Sequence, residues 1–168
     1  MFNDNTFSAP WGRSLKLTTG LFLAVVFGIF LIGVIVESKN VAYWKIGMLW
    51  IPASLLAVSY FFSIRNYQLI ESKLYIRRIG WKSTIDLAKL ESVQVDPSAM
   101  SKSIRLLGNG GLFCFAGIFR NHKLGRYRAF ATSPKNSVIL RFPNRTIVVT
   151  PEDPDGFAEM VRAQLSLD

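Results

Sequence analysis

Two uncharged apolar runs open the chain, and short alternating segments follow them. Leu17–Val36 holds 20 residues without a charge and Ile46–Ile64 holds 19. At 1.5 Å per helical residue the first run reaches about 30 Å, the thickness of a bilayer's hydrocarbon core. The nine-residue connector between them, "ESKNVAYWK", is charged. The pattern therefore predicts a tail at residues 1–16 and a helical hairpin, 17–36 and 46–64, that crosses a membrane twice. A cleaved secretory signal fits poorly: the first run is too long, its cleavage pattern is weak, and a second run follows. Trp11, Tyr43, Trp44 and Tyr60 sit where interfacial anchors belong. Lys and Arg near the ends favour both termini on the cytoplasmic side. Arg13 and Lys16 precede the first run, Lys39 and Lys45 lie in the connector, and Arg65, Lys73, Arg77, Arg78 and Lys82 follow the second. Neither run contains Asp, Glu, Lys, Arg or His, which argues against a transporter acting alone. Gly20, Ala24 and Gly28, and Ala53 and Ala57, recur every four residues and predict close packing between the helices. Pro52 predicts a kink.

From Asn66 the period changes. "NYQLIESKLYIRRIGWKSTIDL" reads as three short strands with turns at Glu71–Lys73 and Gly80. "LESVQVD" alternates up to Pro97, and "MSKSIRLLGNGGLFCFAGIF" reads as two strands joined by a turn at Gly108, Asn109, Gly110 and Gly111. "RYRAFATS", "SVILRF" and "TIVVTP" supply the rest, the last two joined by the tight connection "PNR". Seven or more short strands at this spacing predict a sandwich or barrel. In "TPEDPDGFAEMVRAQL", Phe157, Met160, Val161 and Leu165 fall at helical spacing behind Pro154 and three acids, Glu152, Asp153 and Asp155. That is an amphipathic helix with its acids at the positive end. Residues 65–168 are expected to form one domain, large enough for a real core.

Charge sharpens the division. The net charge is +9, and residues 65–168 carry 16 Lys/Arg against 9 Asp/Glu. An apolar front joined to a basic back suggests a membrane or nucleic-acid partner, and two membrane spans are an odd setting for nucleic acid. "IFRNHKLGRYR" concentrates Arg120, Lys123, Arg126 and Arg128 around the single histidine, His122. On a strand, Arg126 and Arg128 share a face, and near an anionic leaflet each cation contributes about 1 kcal/mol, screened by salt. Arg77, Arg78 and Lys82 form a second basic set just after the second run. These seven residues are the candidate binding patch, for lipid headgroups or a protein; an ordinary solvated rim is the plainer alternative.

Catalytic candidates are few. The glycines at 108–111 lack the following Lys-Ser/Thr of a phosphate loop and the following helix of a dinucleotide fingerprint. Cys114, the single cysteine, excludes an intrachain disulfide, has no activating base in its sequence neighbourhood, and reads as structural. One cysteine and one histidine do not make a conventional zinc site. No cofactor and no enzyme activity are expected.

"LLGNGGLFCFAGIFRNHKLGRYRAFATSPKNSVIL" followed by "TIVVTPEDPDGFAEMV" resembles the bacterial PH-domain family, over roughly residues 65–165. The distinctive parts are the glycine turn, "GIFRN", "LGRYRAFAT" and "TPEDP". The resemblance implies a PH-like, seven-stranded, partly open barrel capped by a C-terminal helix, and with the transmembrane hairpin read from the apolar runs this makes an α+β chain. It implies a bacterial inner-membrane location and supplies no catalytic residues. The best-known PH domains bind inositol phosphates through a basic loop between their first two strands; here that turn is "ESK", and the pattern is absent. The function expected is a membrane-anchored, non-catalytic interaction or scaffold module for a protein partner or a second copy. The alternative is an anionic-lipid sensor.

Overall fold

A computed structural model describes residues 5–35, 43–44 and 46–165. Most of the charged connector, with Lys39 and Lys45, lies outside them, as do Val36 and the last three residues. Among the described residues ten strands form two sheets, where the sequence pattern led to an expectation of seven or more and the family resemblance to one of seven. The first sheet is β1 (Thr6–Ser8), β2 (Ile64–Ile70), β3 (Lys73–Arg78) and β4 (Lys82–Asp86), in chain order. The second contains β5 (Ser92–Val95), β6 (Ile104–Gly110), β7 (Phe115–Asn121), β8 (Gly125–Ala131), β9 (Val138–Phe142) and β10 (Arg145–Val149), in the order β5-β9-β10-β8-β7-β6. All neighbours run antiparallel except β8 and β10.

The core lies between the sheets. Tyr67, Leu69, Leu74, Ile76 and Ile85 face Phe130, Leu140, Ile147 and Val149 there. The buried hydroxyl of Tyr67 donates to the Phe130 carbonyl at 2.7 Å and ties the sheets together. Burial pushes its pKa up to about 12. A smaller cluster, with Phe119, Tyr127, Ile139 and Val148, covers the other face of the second sheet. The C-terminal helix α3 (Pro154–Leu165) buries Phe157, Ala158 and Val161, as its spacing predicts. Asp153 accepts from the Gly156 backbone N–H at 3.0 Å and starts it.

The apolar runs fold differently from the simple hairpin. Helix α1 (Arg13–Ile35) has 23 residues, so it is about 34 Å long, and is long and apolar enough to cross a membrane. It begins four residues earlier than its uncharged run. Leu15 and Thr19 are buried against the domain, and the Thr19 hydroxyl accepts from the Phe113 backbone N–H at 3.2 Å. The second run is shorter as a helix: a π-helical turn, Ile46–Trp50, leads into helix α2 (Ile51–Phe61). Ser63 and Ile64 are instead buried in the domain, where Ile64 opens β2. Pro52 comes directly after the π-helical turn, and Trp50 before it is already helical, so the proline sits where the winding of one continuous helix, Ile46–Phe61, changes. The small face of α1 does not make the helix contact. A Cβ on Gly20 or Gly28 meets nothing within 4 Å, whereas one on Gly33 meets Met48 at 3.1 Å. The Trp44 indole donates to the Gly33 carbonyl at 3.2 Å, satisfying one of the groups a helix end leaves open.

Within the stretch read from sequence as a tail, residues 1–16, Thr6–Ser8 form a strand of the first sheet and Arg13 already opens α1. β1 pairs with β2 from Thr6↔Gln68 to Ser8↔Asn66. Glu152 donates its backbone N–H to Ser8 at 2.9 Å, and Gly12 donates to Thr132 at 3.0 Å.

Candidate functional site

Strand β8 places its arginines by parity. Arg126, Arg128 and Phe130 share one face, and Tyr127, Ala129 and Ala131 the other. Phe130 belongs to the core between the sheets, so Arg126 and Arg128 lie on the inward face, beyond the point where the core ends. On the parallel neighbour β10, Ile147 lies beside Arg128 and Val149 beside Phe130, which brings Arg145 to the same face. The three arginines line a cleft of about 460 Å³, closed on the opposite side by Ser83 and Thr84 of β4. The Arg128 guanidinium stacks 4.8 Å from the Phe130 ring centroid and that of Arg145 4.9 Å from Phe142. Neither these two nor Arg126 has a carboxylate within ion-pair distance among the described residues.

The other expected patch residues do not line the cleft. Arg120 lies opposite Arg126 across β7 and β8, a like-charged pair directly opposed. Lys123 is taken out of the patch: it pairs with Asp96 and donates to the Ser98 hydroxyl at 2.8 Å. His122 is exposed in the same turn. Arg77 donates to the Gln68 side chain at 3.1 Å, and Lys82 sits 5.0 Å from the Tyr75 ring centroid. Arg78 stands within 5.9 Å of the rings of Phe62, Trp81 and Phe130. Burial lowers its pKa. The seven cations are thus divided among several settings.

The Asp96 carboxyl is held below the usual carboxylate range, first by the hydrogen bond from Lys123 and further by Ser98. Its unfolded value is about 3.9, so the contact stabilises fully above that pH and is lost as pH falls through the lower folded value. Asp96→Asn is expected to lower the melting temperature at neutral pH. The gap to wild type should narrow as pH drops below about 4, which thermal melts across an acid series will check.

The glycine turn is displaced. Gly108, Asn109 and Gly110 belong to β6, and the chain reverses over Gly111–Cys114. The Asn109 carboxamide oxygen accepts from the backbone N–H groups of Gly111 and Leu112 at 3.2 and 3.0 Å, and its nitrogen donates to the Leu112 carbonyl at 2.6 Å. Phe113 adopts a positive φ of 64°, with the rings of Trp11 and Tyr60 at 5.9 and 5.6 Å. Cys114 lies just ahead of β7, fully buried, and donates to the Phe62 carbonyl at 3.4 Å. Burial pushes its thiol up to about 11, so it is inert. A maleimide is expected to leave Cys114 unmodified in the folded protein at neutral pH and to label it once the chain unfolds, as intact-mass measurement will show.

Where the helices leave the domain, α1, α2 and β6 enclose an apolar groove of about 710 Å³, lined by Leu21, Phe22, Val58, Phe62 and the Gly108–Gly110 segment. Among the described residues β6 is an edge strand, paired only with β7. Its Ile104, Leu106 and Leu107 are 70%, 53% and 68% exposed. Leu106 is the extra residue of a β-bulge between Arg105 and Leu107.

Sequence reasoning missed Arg145, Asp96 and the bare apolar edge. Alternation in "RTIVV" puts Arg145 on the face of Ile147 and Val149, and three apolar residues among four in "IRLL" break the half-buried strand pattern. Asp96 carried no local signal. Among the described residues no group of three or more His, Cys, Asp or Glu is placed to hold a metal.

Comparison with known proteins adds a family. Residues 65–165, more than half of the chain, match the family described as Bacterial PH domain. No curated protein and no solved structure matches the chain.

Proposed function

We infer that this chain, which belongs to the bacterial PH-domain family, is a membrane-anchored interaction module that docks a protein partner along the β6 edge. PH domains are in general non-catalytic interaction modules. In this reading α1 and the shorter α2 anchor the domain, and it faces the cytoplasm. The exposed Arg13, Lys16 and Arg65 at the junction support that orientation.

The observation that carries the docking site is the unpaired edge of β6 beside the apolar helices. Lipid offers an edge strand no hydrogen bonds, and an exposed apolar edge is an aggregation hazard unless covered. A partner strand satisfies the backbone of β6 while its apolar side chains cover Ile104 and Leu107. The partner is accordingly a membrane protein with an apolar strand or segment at the bilayer surface.

The test exploits the inert Cys114. Single cysteines at Leu107 and, on the opposite edge strand β5, at Gln94 are placed in the full chain in native membranes and treated with a short bifunctional cross-linker. One protein adduct of defined mass at Leu107→Cys, absent at Gln94→Cys and lost when Ile104→Asp is added, is expected. Equal adducts at both edges, or none at Leu107, remove the docking site.

A further inference from the structure

We propose that the cleft between β4, β8 and β10 binds a phosphate-bearing anion, with Arg126, Arg128 and Arg145 supplying the charge and Ser83 and Asn144 the neutral hydrogen bonds. The site is independent of the β6 docking surface and rests on different observations.

The first is placement. β8 and β10 carry three arginines on the face of Phe130 and Ile147, just past the end of the core, where all three are exposed and converge on one opening between the sheets. The second is the want of partners. Among the described residues no carboxylate lies within ion-pair distance of any of the three, and no acid lines the cleft. The third is preorganisation. Stacking on Phe130 and Phe142 holds two guanidiniums, and a held guanidinium presents its planar fork of donors to tetrahedral oxyanions with little further ordering. The fourth is cost. Arg120 and Arg126 are directly opposed across β7 and β8, an arrangement that like charges disfavour and that a bound anion relieves. Ser83, on the face of the core residue Ile85, lines the cleft from the other sheet, so a ligand is met from both sides of the opening. The cleft differs from a docking loop on a flat membrane: it encloses a headgroup-sized anion, and Lys123 takes no part.

A phosphate monoester reaches the cleft either as a lipid headgroup or as a free solute, and two arms of one experiment separate these. The full chain in detergent is melted in increasing inorganic phosphate, with chloride at matched ionic strength as the control. A saturable rise in melting temperature specific to phosphate is expected. Arg128→Ser and Arg145→Ser should each weaken the phosphate response about tenfold or more, the scale of a lost charge-assisted pair. Lys135→Ser, exposed in the short turn Pro134–Asn136 beyond the far end of β8, should retain it. Should either serine variant melt abnormally in chloride, Arg126→Gln, at an exposed position, takes its place. In the second arm the protein is placed in phosphatidylcholine nanodiscs with or without phosphatidic acid. If phosphatidic acid abolishes the response to added phosphate, the headgroup fills the cleft; an unchanged response assigns the cleft to a soluble phosphate. No shift beyond chloride, or an equal shift in the serine variants, overturns the proposal.

Discussion

Gly117→Ala is expected to lower stability by about 3 kcal/mol or more, and Gly108→Ala by a similar amount. The two glycines face each other across β6 and β7. Both have positive φ, 104° at Gly108 and 151° at Gly117. A Cβ on Gly117 would stand 2.8 Å from the Gly108 Cα and nearer still to the Leu107 carbonyl oxygen, and one on Gly108 2.7 Å from the Gly117 Cα. Neither obstacle is a flexible side-chain end; both are backbone of the paired strand. The substitution therefore adds a strained conformation to a clash that only separation of the strands relieves. For a domain of this size each kcal/mol moves the melting temperature by roughly 4–8 °C, so a fall of about 12 °C or more is expected. Gly28→Ala is the control, since its Cβ meets open space. If Gly117→Ala melts like Gly28→Ala, the close approach of β6 and β7 is wrong.

Phe157→Ala is expected to cost about 3–5 kcal/mol and to loosen a second element. Phe157 is fully buried under the sheets and meets the Phe7 ring edge-on at 5.2 Å. Phe7 is the middle residue of the three-residue strand β1, too short to hold by backbone pairing alone. Removing Phe157 leaves a cavity and takes away the side chain against which β1 rests. Thermal melts should show the loss of stability. Limited trypsin digestion below the melting temperature should show faster cutting after Arg13 than in wild type. A variant that melts early with Arg13 still protected would mean that β1 is held by its hydrogen bonds to Gln68 and Asn66 rather than by the C-terminal helix.

The sequence carried some of this and not the rest, for identifiable reasons. Alternation and turn residues sufficed for most strands between Ile64 and Val149, and Phe157 and Val161 announced their helix by spacing. β1 was invisible because "TFS" is too short to show a period. Asn109-Gly110 signalled a hairpin one step early, since the side chain of Asn109 organises the turn that follows it. The hydropathy of "YFFSI" did not reveal that Ser63 and Ile64 turn into the domain. Parity put Arg126 and Arg128 together but could not say that their face was the inward one; only the identity of Phe130 as a core residue decides that. Lys123 and Asp96 meet across 27 positions through the fold of the second sheet, and nothing local to either announces it.

The segment between β1 and α1 is held at both ends: Ala9 donates to Arg65, Gly12 donates to Thr132, and a Cβ on Gly12 would stand 2.9 Å from Ser133. No slack chain separates the sheet from the first apolar helix, and Thr19 bonds the helix back to the domain a turn and a half later. Mechanically the two form a single bracket. If α1 spans a bilayer, as proposed above, any tilt it takes to match the local thickness would swing the arginine cleft and the β6 edge through the same angle. The angle at which the domain meets the surface would then follow from membrane thickness itself.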